Sequence, residues 1–148
     1  MKYILLIILF LTSFNSYSQI KIDDIGDNWK YKVDSALTVI KTYDPQKYDT
    51  LVKYCKHITF WVGDFSSTED ENTIMISQRD MKLNSINNIA SVLVHESFHL
   101  MRWKFSEDND ISSEEVLAYN YELSFLYKIP NVEKSLINHA KKMIELYK

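Results

Sequence analysis

Residues 87–105 read NNIASVLVHESFHLMRWKF, and this stretch decides the fold. Its apolar residues point in every direction around a helical axis, which is typical of a helix that is buried on all sides. The polar interruptions are His95, Glu96, Ser97 and His99. Burying two imidazoles and a carboxylate without partners costs several kcal/mol. The stretch therefore predicts a buried helix whose polar side chains bind something in common.

The spacing of these polar residues indicates a metal ion. His95 and His99 are four residues apart, so they lie on one face of a helix, about 6 Å apart along its axis. Two ring nitrogens so placed can bind one ion at about 2.0–2.1 Å. Glu96 is rotated by about 100° from His95, so it is placed to contact a water on the ion rather than the ion itself. This is the H-E-x-x-H arrangement of two ligands and a general base.

The motif resembles that of the zincin metallopeptidases of the gluzincin type, in which a glutamate on the next helix is the third ligand. The run Glu115-Val116-Leu117-Ala118 resembles their E-x-x-A pattern, in which the alanine lets the two helices pack closely. The resemblance covers residues 73–126. It implies a Zn²⁺ cofactor, a zinc-bound water as nucleophile, and a peptide or protein substrate. The roles it implies are zinc ligand for His95, His99 and Glu115, and catalytic base for Glu96.

The third ligand has alternatives in the same part of the sequence. Glu114 and Glu122 are also candidates, and Glu122 shares a helix face with Glu115, so it could instead support a ligand from behind. Ser112 and Glu115 have the spacing of a capping box, in which the glutamate bonds to the backbone and not to a metal. Asp110 could cap the helix earlier, which would leave Glu115 available for zinc.

The side chain that stabilises the transition state is not decided by the sequence. His57 and His139 are candidates, although each is also a plausible core or surface residue. Tyr119 lies four residues after Glu115 and therefore shares its helix face. A hydroxyl or imidazole at such a position could donate a hydrogen bond to a developing oxyanion.

The periodicity of the whole chain predicts an α+β fold, zincin-like and mostly helical, with a small antiparallel sheet and the buried HExxH helix. Asp44 and Pro45 form an N-cap signal at the second helix. By resemblance, strand 73–77 is the sheet-edge strand that pairs with an extended peptide. The predicted helices cover residues 28–43, about 45–55, from 84 or 85 to 105, 113–128 and 132–147, and the predicted strands cover 57–62 and 73–77.

The N-terminal 18 residues predict a secretory signal peptide. A positive start precedes an uncharged apolar run, and Ser16 and Ser18 suit cleavage before Gln19. The run is too short to span a bilayer, which takes about 20 residues, so no membrane span is expected after cleavage. We expect a secreted or periplasmic protein with one zincin-like domain, residues 19–148.

Charge and composition exclude several other classes. The chain has a net charge of −3, and loss of Lys2 with the signal makes it −4, which is unsuited to binding nucleic acid. A single cysteine, Cys55, excludes an internal disulfide. The signal and the metal motif predict an exported zinc-dependent hydrolase, and the resemblance to gluzincins implies that it is a peptidase. Two alternatives remain at this point, a non-catalytic secreted metal-binding protein and a metal-free helical interaction module, and analysis of bound metal separates them.

Overall fold

Helices make up most of the described chain, and one small sheet packs with them. The computed structural model describes residues 19–26, 28–83, 85–103 and 111–148. The predicted signal peptide, the predicted end of the HExxH helix at 104–105 and the alternative cap Asp110 lie outside these residues. The elements in chain order are β1 (Lys21–Ile22), α1 (Trp29–Tyr43), α2 (Pro45–Tyr54), β2 (His57–Trp61), β3 (Ser67–Thr68), β4 (Thr73–Ser77), α3 (Gln78–Lys82), α4 (Ile86–Trp103), α5 (Ile111–Leu126) and α6 (Lys134–Tyr147).

The sheet has mixed strand directions, so the prediction of a purely antiparallel sheet is wrong. Its strand order is β1-β2-β4-β3. β2 and β4 run parallel, with His57 opposite Thr73 and Trp61 opposite Ser77. The connection 62–72 is not a simple hairpin, because it carries β3, which pairs antiparallel with β4 on the far side. The chain thus crosses to the outer edge of the sheet and returns through its middle.

The position of β4 corrects a second expectation. β4 lies between β2 and β3, so it is an interior strand and not the edge strand that the resemblance implied. β3 is the strand at that edge of the described sheet. Its register places Ser67 opposite Met75 and Thr68 opposite Ile74. Any peptide that extends the sheet at this edge therefore pairs with β3.

The first two helices form as the sequence predicts. Val33, Ala36 and Ile40 follow one another at helical spacing on α1, and all three are fully buried. Asp44 caps α2 by accepting a hydrogen bond from the backbone N–H of Lys47 at 3.3 Å, with proline at the first helical position. The buried Asp44 carboxylate also contacts Lys128 Nζ at 2.8 Å, which connects the start of α2 to the end of α5.

α4 is the central helix of the described fold, and it packs against α1, α2, α5 and β4. The hydroxyl of Ser85 accepts from the N–H of Asn88, so the helix is capped at one of its two predicted starts. Buried apolar side chains lie on several sides of the helix, among them Ile89, Leu93 and Leu100. The middle of α4 is thus largely buried, as expected for this stretch, whereas Trp103 at its end is 47% exposed.

The described part of α5 begins at Ile111, so the helix includes the two residues before its predicted start at 113. Ser112 is therefore inside the helix and is not its N-cap, so the capping-box interpretation of Glu115 is wrong. The helical bounds and the mixed sheet agree with the mostly helical α+β class, while likeness to a zincin stays a prediction. No helix in the described part of the chain has the length and apolar character needed to cross a membrane.

Candidate metal centre

Three potential ligand atoms converge where α4 packs against α5. His95 and His99 lie one turn apart on α4, and Glu115 lies on the second turn of α5. One ligand atom from each residue lies within 4.8 Å of the others. His95 is only 7% exposed, and Glu115 is half-buried between the helices. The two predicted histidines and the first-choice glutamate are therefore brought together.

The atoms of this cluster lie about as far apart as neighbouring ligands of one metal ion, and the two histidines contact different oxygens of Glu115. The two Nε2 atoms of His95 and His99 are 3.2 Å apart. The Oε2 atom of Glu115 is 3.4 Å from His95 Nε2, and its Oε1 atom is 3.3 Å from His99 Nε2. Tetrahedral ligands at about 2.0–2.1 Å from an ion are about 3.3–3.4 Å from one another. Two imidazoles and a carboxylate thus fit a divalent transition metal such as zinc and leave a fourth position for another ligand.

The other ring nitrogen of each histidine is held by a second carboxylate. His95 Nδ1 lies 3.1 Å from Glu122 Oε2, and His99 Nδ1 lies 3.0 Å from Glu114 Oε1. The hydroxyl of Ser91 donates to the remaining oxygen of Glu122. Carboxylates in this position fix the tautomer of a metal-binding histidine, so that its free nitrogen points at the ion. Glu114 and Glu122, the alternative ligands, therefore lie behind the histidines in this structure.

The electrostatics of the cluster favour a bound cation. Burial alone would lower the pKa of His95, but hydrogen bonds to Glu115 and Glu122 outweigh it and raise this pKa to about 10. Burial would raise the pKa of Glu115, but hydrogen bonds to both histidines lower it to about 2. His99 has a raised pKa for the same reasons, with Glu115 and Glu114 outweighing its burial. In the metal-free cluster the raised pKa values favour protonated histidines that pair with the carboxylates. A metal ion binds neutral histidine, so metal binding must release protons.

The cluster also has more acidic than basic groups. Four carboxylates, those of Glu96, Glu114, Glu115 and Glu122, lie on the same two helices as the two imidazoles. Glu96 and Glu122 are both 6% exposed. Buried anions are stable only when they are paired with cations or coordinate a metal. A divalent ion at the two Nε2 atoms offsets part of this excess charge.

Glu96 is not one of the converging ligands. Its burial raises its pKa, while the neighbouring charges of His95 and His99 lower it. Burial therefore favours the protonated form of Glu96, and the positive charges of His95 and His99 favour the ionised form. Only the ionised form can accept a proton, so the charge held at the cluster governs whether Glu96 can do so.

The candidates for the transition-state stabiliser lie at different distances from the cluster. The Tyr119 ring is 4.3 Å from the His95 ring, and burial followed by the charges of Glu122 and Glu115 raises the pKa of Tyr119 well above its usual value. Its hydroxyl therefore stays protonated and can donate. The His139 ring is 6.1 Å from that of Tyr119, on the next helix. His57 lies at the start of β2, and its Nε2 atom is 2.9 Å from Asp23 Oδ1, so its ring is paired with a carboxylate outside the cluster.

A cavity of about 440 Å³ opens beside the cluster. Among the described residues its lining includes two of the converging side chains, His99 and Glu115, and also Thr68, Trp103, Ile111 and Glu114. Thr68 belongs to the edge strand β3. A larger cavity of about 670 Å³ lies between β1, α1 and α2, but none of the cluster residues lines it. Of these two cavities, the smaller one gives access to the candidate metal centre from the described residues.

Comparison of the chain with family models, with curated proteins and with solved structures finds no match in any of the three. The resemblance to gluzincins therefore depends on the short motif and stays a prediction. The geometry of the cluster is what supports a function for this chain.

Four residues of the site were not predicted from the sequence, although three of them are related to a predicted residue by helical spacing. Ser91 lies four residues before His95, and Trp103 lies four residues after His99. Ile111 lies four residues before Glu115 and shares its helix face. Thr68 carried no signal, because its strand has only two residues.

Proposed function

We propose that this chain is an exported zinc-dependent hydrolase, and specifically a peptidase. In this proposal His95, His99 and Glu115 bind the zinc ion and Glu96 is the general base. The observation that supports it most is the convergence of the two Nε2 atoms, 3.2 Å apart, on the Glu115 carboxylate, whose oxygens are 3.4 Å from His95 and 3.3 Å from His99. Carboxylates on both Nδ1 atoms add to this support, because metal-binding histidines have such partners.

Zinc supplies a Lewis acid that makes a water more acidic and polarises the substrate carbonyl. Glu96 accepts a proton from the attacking water while the water oxygen bonds to the carbonyl carbon of the substrate. The C–N bond then breaks, and Glu96 returns the proton to the leaving amine. Burial raises the pKa of Glu96, and the positive charges beside it lower the pKa and so favour the ionised form that accepts the proton. Tyr119 is the candidate donor to the developing oxyanion, because its hydroxyl remains protonated next to His95.

The surroundings of the cluster support a peptide as the substrate. β3 has β4 on one side only within the described sheet, so its other edge has backbone groups to offer. Thr68 of β3 also lines the cavity beside His99 and Glu115. A peptide in extended conformation can pair with such an edge and place one carbonyl at the metal centre.

The test of the proposal is Glu96→Gln in the purified, zinc-loaded protein. Glutamine keeps the shape of the side chain but cannot accept the proton, so cleavage of a mixed peptide library should fall by about 10²–10⁴-fold. Zinc content and helicity should remain unchanged. The matched control is Glu145→Gln, at a glutamate whose side chain is 72% exposed on α6, and it should cleave as wild type does. Equal cleavage by both variants would exclude Glu96 from the reaction, and loss of zinc would make Glu96 a ligand.

Export is a separate part of the proposal. The predicted signal places the mature N-terminus at Gln19, and mass analysis of exported protein measures that terminus directly. Recovery of the full-length chain only from the cytoplasm would contradict it.

A metal-free interaction module is a second candidate, because every ring nitrogen of the two histidines has a carboxylate oxygen within 3.4 Å. Protonated histidines and carboxylates can thus pair with one another without a metal ion. Elemental analysis of the protein after exposure to zinc and removal of excess ion decides between the two. A chain that retains no zinc favours the module.

A further inference from the structure

Two large apolar side chains next to the candidate metal centre are exposed. Trp103 is 47% exposed, and Ile111 is 77% exposed. Trp103 lies one turn after His99 on α4, and Ile111 lies one turn before Glu115 on α5. The helical repeat therefore places one apolar side chain beside a ligand on each of the two helices.

Both side chains line the cavity of about 440 Å³ that also contains His99 and Glu115. This volume is within the range of about 300–1,000 Å³ that is usual for small-molecule pockets. Thr68 lines the same cavity from the edge strand, so a peptide backbone along β3 would direct a side chain toward Trp103 and Ile111. Apolar lining next to a polar reaction centre is typical of a site that selects an apolar group.

The charges in this cavity disfavour an acidic occupant. Glu114 and Glu115 both line it. An acidic side chain entering this space would approach two carboxylates, and like charges repel more strongly where water is partly excluded.

We propose that Trp103 and Ile111 form a subsite for a large apolar side chain of the peptide substrate, adjacent to the bond that is cleaved. The inference rests on the proposed function, because it places the substrate at the zinc site. It adds the substrate class, which is peptides with an aromatic or large aliphatic residue at this position.

The experiment uses peptide hydroxamates, which bind zinc directly and require no catalysis. Three probes differ in one side chain, which is that of phenylalanine, glycine or glutamate, and calorimetry measures their Kd with the zinc-loaded protein. We expect the phenylalanine probe to bind at least about tenfold more tightly than the glycine probe, and the glutamate probe to bind most weakly. Trp103→Ala and Ile111→Ser should each reduce the preference for phenylalanine while leaving the Kd of the glycine probe unchanged.

Matched controls come from exposed apolar residues outside the cavity lining. Trp61 is 40% exposed and Leu117 is 50% exposed, so Trp61→Ala and Leu117→Ser remove comparable apolar surface elsewhere. Both should keep the full preference, as should Trp103→Phe, which retains an aromatic ring. Circular dichroism and zinc content identify any variant that fails to fold, and Ile111→Ser then replaces the result from Trp103→Ala.

The outcomes separate this inference from the proposed function. Equal Kd values for the phenylalanine and glycine probes would overturn the subsite, even if the zinc-loaded protein cleaves peptides. Tighter binding of the glutamate probe would overturn it as well, and so would a zinc-loaded protein that binds none of the three. A clear preference for phenylalanine in a protein that cleaves nothing would support the subsite and count against the hydrolase.

Discussion

Removing the Glu122 carboxylate should weaken metal binding although Glu122 does not contact the metal position. Its Oε2 atom is 3.1 Å from His95 Nδ1, and its other oxygen accepts from Ser91. In Glu122→Ala both partners lose an acceptor, and the His95 ring is no longer held with Nε2 directed at the ion. Loss of such a supporting carboxylate typically lowers metal affinity about 10- to 100-fold. This corresponds to about 1.4–2.7 kcal/mol.

The same substitution should destabilise the metal-free protein. His95 and Ser91 are 7% and 3% exposed, so water cannot readily replace the lost carboxylate. A hydrogen bond to a charged group contributes about 1.5–3 kcal/mol, and an unsatisfied buried group costs about 1–3 kcal/mol. We therefore expect the free energy of unfolding to fall by about 2–4 kcal/mol, which includes the cavity left by the missing side chain.

Competition of the protein with a chelator for zinc measures the first effect, and urea unfolding of the metal-free protein measures the second. Glu114→Ala should weaken zinc binding less, because its side chain is 18% exposed and water can replace part of the contact with His99. Glu145→Ala, on the surface of α6, serves as the control and should change neither quantity. A zinc affinity of Glu122→Ala within twofold of wild type would refute the role of Glu122 in orienting His95.

Three further predictions concern pH, the third ligand and the fold. In the metal-free protein, the pKa of His95 is raised from 6.5 to about 10, so its contribution to stability is complete below pH 6.5 and is lost as pH rises toward 10. The pKa of Glu115 is lowered from 4.5 to about 2, so its contribution to stability is complete above pH 4.5 and is lost toward pH 2. Melting curves of the metal-free protein should therefore show the highest stability between pH 4.5 and pH 6.5. Glu115→Ala should reduce bound zinc to well below about one ion per chain by elemental analysis, and full retention would contradict its assignment as a ligand. Asp44→Ala should lower the free energy of unfolding, measured in urea, by about 1–3 kcal/mol, because it removes the α2 cap and the buried partner of Lys128. The control is Asp49→Ala, at an exposed position, and it should have little effect.

The helices and the converging residues could be predicted because their signals are local. Helical spacing alone places His95 and His99 on one face, and the structure agrees. Asp44 before Pro45 marks the start of α2 by chemistry that acts within one turn. Glu115 was the first-choice third ligand, and it is the glutamate that reaches both Nε2 atoms.

The sheet could not be predicted in the same way, because strand pairing depends on distant residues. The pairing of β1 with β2 joins Lys21 to His57, and a two-residue strand has no periodicity to detect. β3 is equally short, so the connection 62–72 appeared to be a plain turn between antiparallel strands. Two β-branched strands look alike in either direction, and only the path of the connection decides between parallel and antiparallel pairing.

The roles of Glu114 and Glu122 also depend on packing. Glu114 and Glu115 are neighbours in sequence, but they differ by about 100° around α5, so the rotation of α5 against α4 decides which one faces the Nε2 atoms. That rotation is set by the buried face of α5, which includes Ala118, Glu122 and Phe125. The sequence thus contains the candidates, while the packing of two helices selects among them.

The short distance in sequence between the metal ligands has a consequence for how the chain folds. His99 and Glu115 are sixteen positions apart, whereas Lys21 must find His57 across thirty-six positions to pair β1 with β2. The entropy lost on closing a loop grows with loop length, and long-range strand pairing is slow. If His95, His99 and Glu115 bind an ion as proposed, the ion would join α4 to α5 at low entropic cost before the sheet is complete. Such an ion would stabilise the α4–α5 pair, while the slower pairing of β1 with β2 would set the rate at which native protein accumulates.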